Sequence, residues 1–448
     1  MCGIAGLLCT DGMPAPRPIV DGMTAALAHR GPDGSGVTLR GAAGLGHRRL
    51  AIIDPASGAQ PLSNEDGRLW ITFNGEIYNY RDLRTDLEAH GHRFRTQSDT
   101  EVVVHAYEQW GAAAVPRLRG MFAFGIVDER DGHLFLARDP LGIKPLYYAQ
   151  TPTLTAFASE LQALRPVPGL DWTLDIRAID QYLRLQYIPA PRTVYAHVRK
   201  LPPAHTLRIE FDGHTQGPRE YWQIRFQPEF RRTEREWLDA LDEVLRRSVR
   251  AHLVADVPFG AFLSGGLDSS AVVAYMAQEL DAPVETFSIG FEEQDFTELH
   301  YAEQAARRWQ THHHAEIVRA DCLELLPALV RHYGEPFGDS SALPTFLVSR
   351  MARGAVPMVL SGDGGDEAFG GYNDYGTWRR WLRQDDQPIW KQHGFPSRPT
   401  LETWLTLKQQ TAPETRCALW RPELRAVTNQ PIATLEEAWR RARGATPV

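Results

Sequence analysis

A chain of 448 residues is too long for one ordinary core, because domains run to about 100–200 residues, and two domains are expected. With 43% apolar residues, 23% charged residues and a mean hydropathy of -0.35, it reads as a soluble globular protein, neither disordered nor fibrous. The net charge of -8 gives no electrostatic reason to expect nucleic acid, and no window reaches the ~18 consecutive apolar residues of a membrane span.

The opening MCGIAGLLCTDGMPAP lacks the basic n-region of a signal peptide, so a cytoplasmic location is expected. Cys2, Cys9, Cys322 and Cys417 form no CxxC pair and are too sparse for a disulfide framework, in keeping with a reducing compartment. Lys144, Lys200, Lys391 and Lys408 are the only lysines among 48 basic residues, so a mechanism that needs one has few candidates.

The first 150 or so residues read as α+β. Short apolar or alternating runs at 71–80, 120–129 and 132–139, bounded by Gly, Asp and Asn, predict strands. Between them, 81–91 and 99–111 carry helical spacing and stop on glycine. From about 150 to 232 prolines recur (Pro166, Pro168, Pro189, Pro191, Pro202, Pro203) around one helical patch near 175–186, which reads as an interdomain connection. After 232, strands at 260–264, 284–291, 314–318 and 356–361 alternate with helices at 235–252, 269–280, 298–309 and 341–353. That alternation predicts βαβ units and a parallel sheet with ligands at the carboxyl ends of its strands.

Cys2 becomes the first residue once the initiator methionine is trimmed, which its small side chain permits. Its α-amine, with an ordinary pKa of about 7.7–8.0, then stands beside the thiol and can serve as base for the nucleophile. An isolated cysteine there is more often a small hydrophobe opening a buried strand. Its neighbours argue otherwise: MCGIAG is followed by AHRGPDGSG (28–36), GHRRLAIID (46–54), FNGEIYNY (73–80), SDTEVV (98–103), GMFAFG (120–125) and RDPLGIKPLYY (138–148).

This ordered set resembles the glutaminase domain of class II glutamine amidotransferases, in particular the asparagine synthetase branch, and implies an N-terminal nucleophile αββα sandwich. The resemblance implies that Cys2 attacks the side-chain amide of glutamine to form a thioester. It makes the Asn74 side chain and the Gly75 backbone N–H the oxyanion hole, a role that suits fixed donors aimed at developing charge. Arg49 would clamp the glutamine carboxylate and Glu76 and Asp99 its ammonium, with backbone groups of Leu50, Ala51, Ile52 and Ile53 lining the pocket. Asn74-Gly75 also reads as a type I′ hairpin turn, and the two readings are compatible.

SGGLDSS (264–270) lies between an apolar run and a helix, so paired glycines and hydroxyls stand at a helix N-terminus, an anion site that needs no lysine. There is no GxxxxGK[ST]. The loop resembles that of the N-type ATP pyrophosphatases, with FSIGF (287–291) and LSGDGGDEAFGGY (360–372) following where asparagine synthetases have their partner motifs. This implies adenylation of a carboxylate with release of pyrophosphate, then attack by ammonia. ATP would contact Leu263, Ser264, Gly265, Gly266, Asp268, Ser269, Ser270, Ile289, Ser361 and Gly362, with Asp363 important for adenylate formation and Asp268, Asp366 and Glu367 suited to Mg2+. Three consecutive histidines, 312–314, rarely reach one ion.

GEPFGDSSALPTFLVSRMA (334–352) matches too, with Gly334 in place of a common acidic residue and Ala204 in place of the glycine of PPGH; both departures look tolerable. Past 376 no family motif follows, and neither Lys391 nor Lys408 stands in the context of the family's late lysine, so the chain reads as shortened at its C-terminus relative to the family. The expected division is 1–205 for the glutaminase with its connection and 206–448 for the synthetase. The expected substrates are glutamine, aspartate and ATP, with no nucleic acid and no membrane, and a homodimer is left open. Two alternatives stand beside asparagine synthesis: an amidotransferase or cyclase acting on another carboxylate, and a glutaminase joined to a nucleotide-binding module that does not synthesise.

Overall fold

Strands whose two faces are both apolar need a covering layer on each side, and the N-terminal half supplies them. In β1 (Gly3–Cys9), Ile4 and Leu8 point to one buried cluster while Ala5, Leu7 and Cys9 point to another. The computed structural model describes residues 1–227, 229, 231–292, 297–318, 322–376, 401, 404–405, 411–428 and 430–444. Lys391 and Lys408 lie outside them.

After β1 come α1 (Arg17–Ala25), β2 (Gly34–Arg40), β3 (Ala43–Arg49), β4 (Leu62–Ser63), β5 (Leu69–Ile77), α2 (Tyr80–Ala89) and α3 (Asp99–Trp110). Then follow β6 (Gly120–Asp128), β7 (His133–Arg138), β8 (Tyr147–Gln150), β9 (Leu154–Ala158), α4 (Ile176–Leu185), β10 (Val198–Lys200), β11 (His205–Glu210) and β12 (Thr215–Glu220). The strands form two six-stranded antiparallel sheets, ordered β10-β8-β9-β1-β3-β2 and β12-β11-β7-β6-β5-β4. Between them lie Ile4, Leu8, Leu45, Ala123, Val127, Leu136, Phe157 and Leu207. On the outer face of the first sheet, α1 contributes Val20 and Met23. On the outer face of the second, α2 and α3 contribute Leu83, Leu87, Val102 and Val103. This is the αββα sandwich.

The connection expected over 150–232 is corrected by this topology. β9 pairs with β1 in the middle of the first sheet, and β11 and β12 extend the second by pairing on β7, so residues 206–220 lie with the N-terminal sandwich. Short strands set among prolines carry little local signal, and pairing across the chain is what makes them strands.

The remainder opens with α5 (Glu234–His252), which starts on a capping box of Thr233 and Glu236. It continues with β13 (Phe259–Phe262), α6 (Leu267–Glu279), β14 (Glu285–Phe291), α7 (Leu299–Trp309), β15 (His312–Val318), α8 (Cys322–Tyr333), α9 (Ala342–Arg353), β16 (Met358–Leu360), α10 (Gly365–Phe369), α11 (Pro413–Leu419) and α12 (Ala433–Gly444). The four strands are parallel in the order β15-β14-β13-β16. α5, α6 and α7 cover one face through Val249, Val273, Met276 and Ala302, and α9 covers the other through Val348 and Ala352. Among the described residues no helix is long and apolar enough to cross a membrane.

Both departures from the family pattern fall on left-handed backbone. Gly334 ends α8 at φ +68, and a Cβ there would stand 2.7 Å from Gln162 Oε1, so glycine suits the site. Ala204 sits at φ +59, a strained conformation for alanine and one its glycine counterpart would adopt freely.

Candidate active site

Cys2 precedes β1 and meets the end of β3: its thiol lies 3.5 Å from Leu50 O and accepts from Leu50 N at 3.4 Å, while Arg30 Nε donates to its carbonyl at 2.8 Å. Burial pushes the Cys2 thiol up, opposed by the Leu50 hydrogen bond. Burial also pushes the α-amine, carried here by Met1, down to about 5. Lys144, 5% exposed, is pushed down to about 8 by burial and donates to Met1 Sδ at 3.1 Å. Its scarcity was the one sequence signal for it.

Around the thiol, Arg49, Leu50, Ile52, Ile53, Gly75, Glu76 and Asp99 line one pocket, joined by Gly58, Gln60, Phe73, Ser98 and Thr100, which sequence reasoning did not single out. Ala51 is not in the lining; its N–H donates to Asp33 at 3.0 Å. Asn74 is 1% exposed, and its side-chain N–H donors have no partner. A buried amide left unanswered costs about 1–3 kcal/mol, so such a group marks a place reserved for a ligand or a transient charge. The hairpin-turn reading of Asn74-Gly75 is overturned: both lie within β5, opposite Ala123 and Phe122 of β6. Glycine is required at 75 by close approach, since a Cβ would fall 2.2 Å from Met121 O.

Glu76 and Asp99 are both pushed up by burial, and Glu76 further by the neighbouring Asp99. Two buried carboxyls that repel each other are matched by an incoming cation. Asp99 opens α3 behind the Ser98 cap and accepts from Ile77 N at 2.9 Å, which fixes its carboxylate. Arg49 donates to Ile53 O, Asp54 O and Pro55 O at 3.1, 2.6 and 3.0 Å, leaving two of its five N–H groups for a carboxylate. The guanidinium thereby shapes the 50–55 loop, in which Asp54 adopts φ +48. That loop is also held from the second half of the chain: Asp256 Oδ2 accepts from Asp54 N at 2.7 Å, and Asp256 N donates to Ile52 O at 2.9 Å. Beside it, Tyr78 meets the His252 ring at 4.1 Å.

In the parallel sheet, Leu263 and Ser264 leave β13 next to Ile289 of β14 and Ser361 after β16, so the three segments converge at the carboxyl edge. Gly265 adopts φ +89, and a Cβ there would meet Ala302 N at 2.6 Å. Gly266 caps α6 without a side-chain acceptor, which leaves the first-turn N–H groups facing outward. Ser264 and Ser269 hydroxyls lie 2.9 Å apart, and Ser270 N donates to Gly266 O at 3.1 Å. Asp268 is pressed against the 362–365 turn: Cβ atoms on Gly362 and Gly365 would stand 3.0 and 2.3 Å from its side chain. Asp363 accepts from Ser361 Oγ at 2.8 Å, and Glu367 from Tyr372 OH at 2.6 Å. Asp268, Asp366 and Glu367 do not gather into one ligand cluster among the described residues. His312 and His314 share one face of β15 and both meet Glu285 of β14, while His313 faces Thr286 at 3.0 Å.

Residues 1–222 match the family model of a glutamine amidotransferase domain, and 240–446 that of asparagine synthase. Asparagine synthetase [glutamine-hydrolyzing] 1 of Bacillus subtilis is 40% identical over 379 residues, covering 84% of this chain and 59% of that protein. Asparagine synthetase [glutamine-hydrolyzing] 1 of Arabidopsis thaliana is 35% identical, covering 83% and 60%. A Methanocaldococcus jannaschii relative assigned to the same enzyme is 37% identical, covering 83% and 76%. The chain thus spans about three fifths of the length of the Bacillus and Arabidopsis proteins.

Proposed function

Because the chain belongs to the family of glutamine-hydrolysing asparagine synthetases, we propose that it releases ammonia from glutamine at Cys2 and uses it to amidate an adenylated aspartate. The observation that carries the first half is the pocket that joins the Cys2 thiol to Gly75, Arg49 and two buried acids, next in sequence to Asn74, whose buried amide donors are unanswered. Once Met1 is removed, the amine of Cys2 takes the thiol proton as sulfur attacks the glutamine amide carbon. The oxyanion of the tetrahedral intermediate takes hydrogen bonds from Asn74 Nδ2 and the Gly75 N–H. Collapse breaks the C–N bond, ammonia leaves with the proton returned by the amine, and water hydrolyses the thioester to glutamate. Glu76 and Asp99 receive the substrate ammonium, and the remaining Arg49 donors its carboxylate.

The second half rests on the converging segments at 263–270, 289 and 361–363. The open start of α6, the glycine turn at 265 and the hydroxyls of Ser264, Ser269 and Ser270 suit the ATP phosphates. Aspartate carboxylate attacks the α-phosphate, pyrophosphate departs, and ammonia then displaces AMP to give asparagine. Mg2+ would be held by Asp268 with Asp366 or Glu367 and phosphate oxygens, and would neutralise phosphate charge; the packing of Asp268 against the 362–365 turn supports its place there. Transfer between the halves needs a shielded path, since ammonia in water is protonated.

A carboxylate screen that reads pyrophosphate release, with glutamine or ammonium as donor, tests both halves. Aspartate should stimulate release with either donor. In Cys2→Ala the glutamine-driven reaction should vanish while the ammonium-driven one persists. Undiminished glutamine turnover in that variant would sink the nucleophile, and stimulation by a different carboxylate alone would replace aspartate as acceptor.

A further inference from the structure

Away from both sites, three segments of the second sheet's outer layer bring histidines and glutamates together. Glu65 follows β4, His92 lies on the loop after α2, and His105 and Glu108 stand three apart on one face of α3. His92 Nδ1 lies 3.3 Å from Glu65 Oε1 and 3.8 Å from Glu108 Oε2; His105 Nδ1 lies 3.1 Å from Glu65 Oε2 and 3.7 Å from Glu108 Oε2. Ligands about 2.1 Å from a tetrahedral ion are separated by about 3.4 Å, the middle of that range.

Two further observations point to a cation among these atoms. His105 is wholly buried, and its ring nitrogens make no well-aligned hydrogen bond with the carboxylates that surround them, Glu65 at 3.1 Å, Glu101 at 3.6 Å and Glu108 at 3.7 Å. Protons would align each N–H with one oxygen; a metal ion instead draws the lone pairs to a point between them. His92 Nε2 lies 3.1 Å from Gln109 Oε1, which fixes the proton there and turns the Nδ1 lone pair toward carboxylates that would otherwise repel it. The surroundings have the form of a supporting shell. Glu101 Oε1 is 3.6 Å from His105 Nε2, Asn64 Nδ2 and Arg130 hold Glu108, and Arg93 N holds Glu65 at 2.8 Å.

We infer that Glu65, His92, His105 and Glu108 form a structural site for one divalent transition cation of the zinc class. The ion ties α3 to the turn between β4 and β5 and to the loop after α2. It is independent of the glutamine chemistry, although α3 carries Asp99 at its start. Glu65, with 32% of its side chain exposed, gives the ion a way in.

The test uses the full chain, stripped with a chelator and then given zinc chloride alone, with bound metal counted by elemental analysis. Co2+ in place of Zn2+ reports geometry through its tetrahedral d–d bands. One equivalent per chain is expected, held at least about tenfold more weakly in Glu65→Gln and His92→Gln, with the tetrahedral bands lost. Glu65→Gln removes a surface ligand and should melt with the metal-free parent, which separates ligand loss from misfolding. Asp268→Asn should keep the equivalent. Failure of the parent to bind, equal affinity in both ligand variants, or loss of the ion in Asp268→Asn would each overturn the site and leave protons as the occupants of the cluster.

Discussion

At the scale of single residues, Asn74 holds donors that the fold leaves unanswered, so its removal should separate activity from stability. Asn74→Ala is expected to lower kcat for glutamine hydrolysis by about 10²–10³-fold with little change in KM, because the amide acts on the intermediate. Its melting temperature should not fall, since an unsatisfied buried amide contributes nothing to the free fold. A normal kcat would remove Asn74 from the oxyanion hole. Glu76 and Asp99 give a pH dependence. Asp99 is pushed up to about 6 by burial, and ammonium binding needs it ionised, so binding expels a proton and weakens as pH falls through that value. KM for glutamine should therefore rise as pH falls below 6, by up to about tenfold per unit for one linked proton. A KM that is flat from pH 5 to 8 would contradict the ammonium role.

At the scale of elements, the turn from β13 into α6 depends on one glycine. Gly265→Ala would place a Cβ 2.6 Å from Ala302 N and 2.6 Å from Tyr301 Cβ, at a φ of +89 that alanine disfavours. A loss of about 1–3 kcal/mol is expected, visible as a lower melting temperature, together with reduced pyrophosphate release as the α6 N-terminus shifts. Glutamine hydrolysis, built on other elements, should be retained. An unchanged rate of pyrophosphate release would show that the turn has room for the methyl group.

At the scale of the whole molecule, the glutamine loop is fastened by a residue of the other half. Asp256 accepts from Asp54 N, and Arg49 grips the same loop, so the geometry of the Cys2 pocket depends on the segment that leads into β13. Asp256→Ala removes a hydrogen bond to a charged acceptor, worth about 1.5–3 kcal/mol. Glutamine KM should rise by about tenfold or more while kcat at saturation changes little, measured on the full chain. A KM equal to that of the parent would mean the loop keeps its shape without the clip.

The two proposed chemistries were legible in the sequence because each would be carried by contiguous residues: a cysteine next to the initiator, an Asn-Gly-Glu run, a glycine-serine loop before a helix. The alternation of strand and helix after 232 was legible for a related reason, since its period is local and the inner strands β13 and β14 are largely apolar. Only the tertiary structure decided that 150–220 completes two sheets, because β9 and β11 are strands by virtue of partners far away in the chain. It also placed Asn74-Gly75 inside a strand, where pairing with β6 outweighs the turn preference of the dipeptide. Asp256 and the cluster of Glu65, His92, His105 and Glu108 carry no local signature, for their chemistry arises from side chains that meet only when distant segments pack.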